Sequence, residues 1–186
     1  MKTISYPFLQ AKYYTPGRGG NKVSWIFIHT METPQTKNRA LQVWRWFAGK
    51  TSPLASAHYM VDATSIEQSV KLSDTAWAVD DYNVNQRSIS IETSGEASQT
   101  PVQWADAYSV AELALEAKLT AQLCKQFNIP VRKAKPEDIQ KGIPGIAGHL
   151  DVTIAKRIKG GHTDPGINFP WIKFIQLVEL EYKKLS

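Results

Sequence analysis

Apolar residues follow one another without a polar break through the core of the stretch VSWIFIH. A run of strand length that does not alternate predicts a strand covered on both faces. SAHYMVD and IEQSVKL predict neighbouring strands, RSISIE another, and GIAGH a last one. In RSISIE the period of two puts Ile89 and Ile91 on one face and Ser88, Ser90 and Glu92 on the other, so Glu92 need not enter the apolar layer.

Between these runs the spacing becomes helical. Thr33 followed by Pro34 predicts the cap and start of a helix reaching about Ala48, with Leu41, Val43, Trp44 and Phe47 as apolar anchors and Gly49 as its stop. Residues 106 to 127 predict a long helix in which Val110, Leu113, Ala114, Ala117, Ala121 and Cys124 share one spacing. A polar, Pro-containing loop then leads into GIAGH, and His149 is expected where that strand gives way to a loop. Pro170 opens a final helix, PWIKFIQLVELEYKK, with Trp171, Phe174, Ile175 and Val178 as its apolar stripe. Strands alternating with helices predict a single α/β domain, a central mixed β-sheet flanked by helices. The segment ending in TPGRGGN reads as an arm with turns, which divides the chain into an N-terminal arm, 1–21, and a main domain, 22–186.

With 186 residues, 42% hydrophobic and 21% charged, the chain suits one compact domain with a substantial core. No apolar run approaches the length of a bilayer span, so no membrane insertion is expected. The start MKTISYPFLQAKYYTPG lacks the apolar stretch of a secretion signal. The expected product is soluble and made in the cytoplasm without a signal peptide. Cys124 is the only cysteine, which excludes an internal disulfide and a Cys-rich metal site and leaves it a small buried apolar side chain. The net charge of +5 suits nucleic acid, an anionic surface, or solubility alone. Lys and Arg are scattered, with modest concentrations in RKAKPEDIQK and AKRIKG and no nucleic-acid motif beside them, so no nucleic acid is expected as a partner.

The candidate chemistry lies with the histidines. His29 ends an apolar strand, a good position for facing a cleft. His149 and Asp164 lie in GIAGHLDVTIAKRIKGGHTDPG, and the set of His29, His149 and Asp164 is of the His/His/carboxylate kind that holds a hydrolytic zinc. Such a zinc keeps a fourth position for water, whose pKa falls to about 7. Each residue also has an ordinary reading: a satisfied histidine at a sheet edge, or an Asp that starts an Asp-Pro-Gly turn. Spacing alone does not choose between them. His162 is either an exposed loop residue or a donor to a developing negative charge, and His58 inside SAHYMVD reads as structural, its ring bonding a nearby loop.

The series FIHT, SAHYMVD, SISIETSG, GHLDVT and HTDPG, in this order, resembles the zinc N-acetylmuramoyl-L-alanine amidases, the family that includes phage lysins and animal peptidoglycan recognition proteins. The resemblance runs from about Val23 to the last helix. It implies that fold, with His29, His149 and Asp164 as ligands of Zn2+, and peptidoglycan as partner. It also implies Glu92 as the proton carrier, because the tyrosine that some relatives place before the SAHY-type histidine is Ala57 here. His162 stands where relatives often have a donor to the substrate carbonyl oxygen. Trp77 and Asn85 match groove positions that touch substrate, whereas the Trp-His-Ala segment of the family is Trp77-Ala78 here, and the contact from that histidine is missing. The implied reaction is hydrolysis of the amide between the lactyl group of muramic acid and L-alanine. A phage-type lysin is the form expected, a monomer reaching the wall after holin-type release. The alternatives are a recognition domain that binds without cutting, and a cytosolic amidase that recycles muropeptides.

Overall fold

The computed structural model describes residues 6–185. In chain order the elements are β1 (Tyr14–Thr15), β2 (Trp25–Thr30), α1 (Arg39–Ala48), β3 (Tyr59–Val61), β4 (Ile66–Gln68), β5 (Thr75–Ala76), α2 (Tyr82–Gln86), β6 (Ser88–Thr93), α3 (Ala107–Phe127), α4 (Pro136–Gln140), β7 (Gly145–Gly148), α5 (His149–Lys156) and α6 (Trp171–Lys183), with a short 3-10 turn at Gln103–Ala105. The main sheet has five strands in the order β4-β3-β6-β2-β7. β3, β6, β2 and β7 run parallel and β4 pairs antiparallel at the edge, so the sheet is mixed. β1 and β5 form a separate two-stranded ribbon.

Both faces of β2 are buried along its whole length, which is why it reads as an unbroken apolar run. Ile26 and Ile28 join Ile89, Ile91 and Ile146 under α3 and α6, where Leu113, Ala117, Phe174 and Val178 complete the largest core cluster. Trp25 and Phe27 face the other way, against Ala147 and the α4–α5 layer with Ile139, Val152 and Ala155. α1 covers Met60 beside them through Ala40, Val43 and Phe47. Cys124 is buried in the α3 layer, and burial pushes its thiol up to about 12.

Several boundaries differ from those the pattern predicts. The first helix begins at Arg39, not at Thr33-Pro34. Thr33 is pulled into extended pairing with Gly95, its N–H donating to the Gly95 carbonyl at 3.1 Å, and a residue so paired cannot open a helix. A carboxylate distant in sequence caps the real start: the Ala40 N–H donates to Asp62 Oδ2 at 3.1 Å. On α3, Val110 and Ala114 face solvent, while Glu112, Glu116 and Thr120 turn inward with Leu113 and Ala117. The loop before β7 contains α4, and His149 is not in a loop. It is the first residue of α5, whose N-cap Gly148 donates its N–H to Asp151 at 2.8 Å.

Residues 6–20 pack onto the domain. Ala11 is buried, and Arg18 donates to the carbonyls of Leu72, Gln86 and Ser88 while its guanidinium lies 2.9 Å from His58 Nε2. The His58 ring accepts from the Ser90 N–H at Nδ1 and sits beside the Asp74 carbonyl. Burial and then the Arg18 charge push its pKa down to about 3, so it is a neutral internal strut. No helix among the described residues is long and apolar enough to cross a membrane.

Candidate metal centre and active site

The site forms where parallel strands end. In a parallel pair, residues in register present side chains to the same face. His29 on β2 is in register with Glu92 on β6, and Ile28 with Gly148 on β7, so the residue after Gly148, His149, emerges beside His29. Gly148 must be glycine because a Cβ there would lie 2.6 Å from Pro165 Cδ and 3.2 Å from the Trp171 ring. This close approach brings the Asp164 loop down on β7. The Leu150 N–H donates to the Asp164 carbonyl at 3.0 Å, tying that loop to the start of α5. Gly166, at φ 87°, lies so close to the Ala97 carbonyl that a Cβ would come within 2.0 Å of it.

His29, His149 and Asp164 are thereby brought together, all buried, with a ligand-type atom from each within 4.8 Å of the others. His29 Nδ1 lies 2.9 Å from Asp164 Oδ2, and His149 Nδ1 lies 3.4 Å from Asp164 Oδ1. Donors around a tetrahedral zinc with bonds of about 2.0–2.1 Å are separated by roughly 3.3 Å, so these spacings suit such an ion. The protonation states of His29 and Asp164 suit it as well. Burial drives the His29 imidazole towards its neutral form, against the opposing pull of Asp164. Burial alone would raise Asp164, but the hydrogen bonds of His149 and His29 outweigh it and hold the carboxyl below its ordinary range. Neutral imidazoles and an ionised carboxylate are the forms that bind a metal.

The cluster lines one end of a cavity of about 350 Å³. Glu92 stands in its wall, its pKa raised well above the ordinary value by burial first and then by Asp164, Glu32 and Glu116. His162 is exposed, stacks on His149 with ring centroids 4.8 Å apart, and has Nδ1 3.7 Å from Asp164 Oδ1. Trp77 lines the cavity, its ring fixed by a bond from Nε1 to Thr15 Oγ1 at 2.9 Å and by stacking on Tyr13. Asn85 does not line it. Its amide is buried and spent on the turn above, accepting from the Ala78 and Val79 N–H groups and donating to the Val79 carbonyl at 2.7 Å. Its part is to shape the Trp77–Asp80 turn.

The cavity also contains residues that the sequence pattern does not single out. Trp46, Phe47, Pro53 and Leu54 form an apolar ledge at the end of α1, and Glu32 and Asp80 bring carboxylates to the rim. Glu32, at φ 50°, accepts from the Ala97 N–H, and it also lines a second hollow of about 280 Å³ shared with His162 and Asp164. No motif marks either acid, since their meeting depends on how the loops fold.

The sequence profile of the N-acetylmuramoyl-L-alanine amidases matches residues 19–167. The chain belongs to the N-acetylmuramoyl-L-alanine amidase family. That match takes in every residue of the cluster and the cavity wall, and the amidase fold recurs among solved structures. The Staphylococcus aureus hydrolase AmiA, solved with its ligand, superposes with a TM-score of 0.71 at 16% identity, over 98% of this chain and 85% of that one. A mutant endolysin from Bacillus subtilis gives 0.62 at 17% identity, over 95% and 99%. The N-acetylmuramoyl-L-alanine amidase LysC from Clostridium intestinale gives 0.58 at 16% identity, over 95% and 99%. At these identities the likeness concerns the fold. No curated protein matches the chain.

Proposed function

We propose that this amidase is zinc-dependent and of the phage-lysin type, with residues 22–186 as its catalytic domain and the cell wall as its place of action. His29, His149 and Asp164 would hold the ion. When bound there, zinc supplies a Lewis acid for the substrate carbonyl and makes a water nucleophilic near neutral pH. Glu92 takes the proton of the attacking water and passes it to the leaving nitrogen as the carbon–nitrogen bond breaks, which yields a carboxylic acid on the lactyl side and a free amino terminus on L-alanine. His162 donates a hydrogen bond to the carbonyl oxygen as negative charge develops on it. Trp77 forms a rigid cavity wall for the substrate.

One observation carries this reading: Glu92 shares a cavity wall with the buried His29–His149–Asp164 cluster, in register with His29 on the neighbouring strand. Digestion of purified wall tests it. New alanine amino termini are expected and no new reducing sugars. Reducing ends would overturn the amidase chemistry, and equal turnover of soluble muropeptides and intact wall would count against the lysin assignment.

A further inference from the structure

His149 has a neighbour that the chemistry above does not use. Its ring is gripped by other rings: His29 meets it edge-on with centroids 5.0 Å apart, and His162 stacks on it at 4.8 Å with an interplanar angle of 1°. Such contacts fix the plane of an imidazole, but they do not distinguish its nitrogen edge from its carbon edge. That distinction falls to the groups facing each nitrogen. Nδ1 faces Asp164 inside the cluster, at 3.4 Å from Oδ1. Nε2 points away from the cluster, is buried, and has no hydrogen-bond partner among the described residues. The carboxylate that approaches it is Asp80, whose Oδ2 lies at 3.8 Å.

Asp80 is presented by a well-anchored turn. Asn85 bonds the backbone of Ala78 and Val79 just before it, and the next residue, Asp81, caps α2 through the Val84 N–H and pairs with Lys156 at 3.2 Å. The Asp80 side chain itself is 52% exposed, and from 3.8 Å it must approach Nε2 by roughly 1 Å to reach hydrogen-bond distance. A buried ring N–H without an acceptor costs about 1–3 kcal/mol. A histidine that gives one nitrogen to a metal almost always donates the other N–H to a carboxylate, a carbonyl or water.

We propose that Asp80 is the positioning carboxylate of this centre: it accepts from the Nε2–H of His149 and holds the tautomer and ring orientation in which Nδ1 is free for the metal. This inference rests on the reading of His29, His149 and Asp164 as metal ligands. Asp80 is not itself a ligand, because it stands at the nitrogen that faces away from the cluster.

The test uses the wild-type chain with Asp80→Ala, Asp80→Asn and Asp80→Glu. Zinc affinity is measured by competition with a chromogenic chelator, and the proton on the His149 ring is located by nitrogen-detected NMR of the zinc-loaded protein. The Ala and Asn variants are expected to bind zinc about 10- to 100-fold more weakly, with Glu recovering most of the loss. In the wild type the proton is expected on Nε2. Zinc affinity of Asp80→Ala within about threefold of wild type, where a true positioning partner is worth at least tenfold, would overturn the proposal. A proton on Nδ1 would do the same. So would a weakened Asp80→Ala whose metal-free unfolding midpoint falls in parallel and is not restored by Glu, since Asp80 would then be structural. A wild-type chain that takes up no zinc would bring down the metal centre itself and this proposal with it, a result distinct from a zinc-binding wild type with an unaffected Asp80→Ala.

Discussion

Buried carboxyls lie on both sides of β6, and Asp164 on one side and the α3 pair on the other have opposite electrostatic fates. On the cavity side, Asp164 lies between His29 and His149. On the α3 side, Glu116 accepts from the Thr93 hydroxyl, and Glu112 accepts from the Ser94 N–H at 2.9 Å and from Gln35 at 3.1 Å. All three carboxyls are nearly or wholly inaccessible to solvent. Yet Asp164 is held low, whereas burial, with Glu116 beside it, pushes Glu112 up to about 9, and burial pushes Glu116 up to about 8 despite Thr93. The degree of burial does not explain the difference. Asp164 has two imidazoles aimed at it and stays an anion able to bind a cation, while the α3 pair has only neutral donors and keeps its protons. Asp164 is suited to holding a cation; the Glu112–Glu116 pair ties α3 to the strand end and, through Gln35, to the loop after His29.

The largest way to break this contrast is to remove the anion. Asp164→Asn, like His29→Ala or His149→Ala, is expected to lose most of its zinc affinity and nearly all hydrolysis, because two remaining donors do not hold the ion against water. Elemental analysis after dialysis reads the first effect, and full occupancy in these variants would refute the ligand set. Next in size is Glu92→Gln, which keeps shape but removes the base. Zinc and fold should persist while wall hydrolysis falls by roughly a hundredfold or more. A normal rate would move the proton relay elsewhere.

His162→Ala should retain zinc and lose about 2 to 4 kcal/mol of transition-state stabilisation, measured as a lower kcat/KM. Unchanged turnover would make His162 an ordinary loop residue. The smallest effect sharpens the other half of the comparison. Glu112 and Glu116 have folded pKa values above the ordinary carboxyl value of 4.5, so the folded state binds their protons more tightly than the unfolded one. Their contribution to stability is full below about pH 4.5 and is lost as pH rises through the folded values near 8 and 9. Between pH 6 and pH 9 the wild-type unfolding midpoint should therefore fall, and Glu116→Gln, which cannot ionise, should fall less, by about 5 °C. Parallel pH profiles in a thermal melt would show that Glu116 is not protonated in the folded chain.

Periodicity made the buried strands and the two long helices legible. β2 is apolar without interruption because it is covered on both faces, and the alternation of Ser88–Glu92 does turn the isoleucines to α3 and Glu92 to the cavity. α5 was hidden because HLDVTIAK carries β-branched Val152, Thr153 and Ile154, which weaken any helical signal, and because its start depends on the Gly148–Asp151 contact. Asn85 could be named in the sequence as a groove residue, but a polar side chain serves a turn as readily as a ligand, and here it serves the turn. Glu32 and Asp80 carried no periodic or motif signal at all.

The sequence by itself determined the layered α/β architecture, the strand and helix identities of the core, and the residue types from which a His/His/carboxylate site could be built, because these follow from local periodicity and side-chain chemistry. Only the tertiary structure decided that His29, His149 and Asp164 converge, that Asp164 stays ionised while Glu112 and Glu116 do not, and that Asp80 stands at the outer nitrogen of His149. Those outcomes depend on distances between segments far apart in the chain, and a pKa or a ligand geometry is set by what lies within a few ångströms rather than by neighbours in sequence.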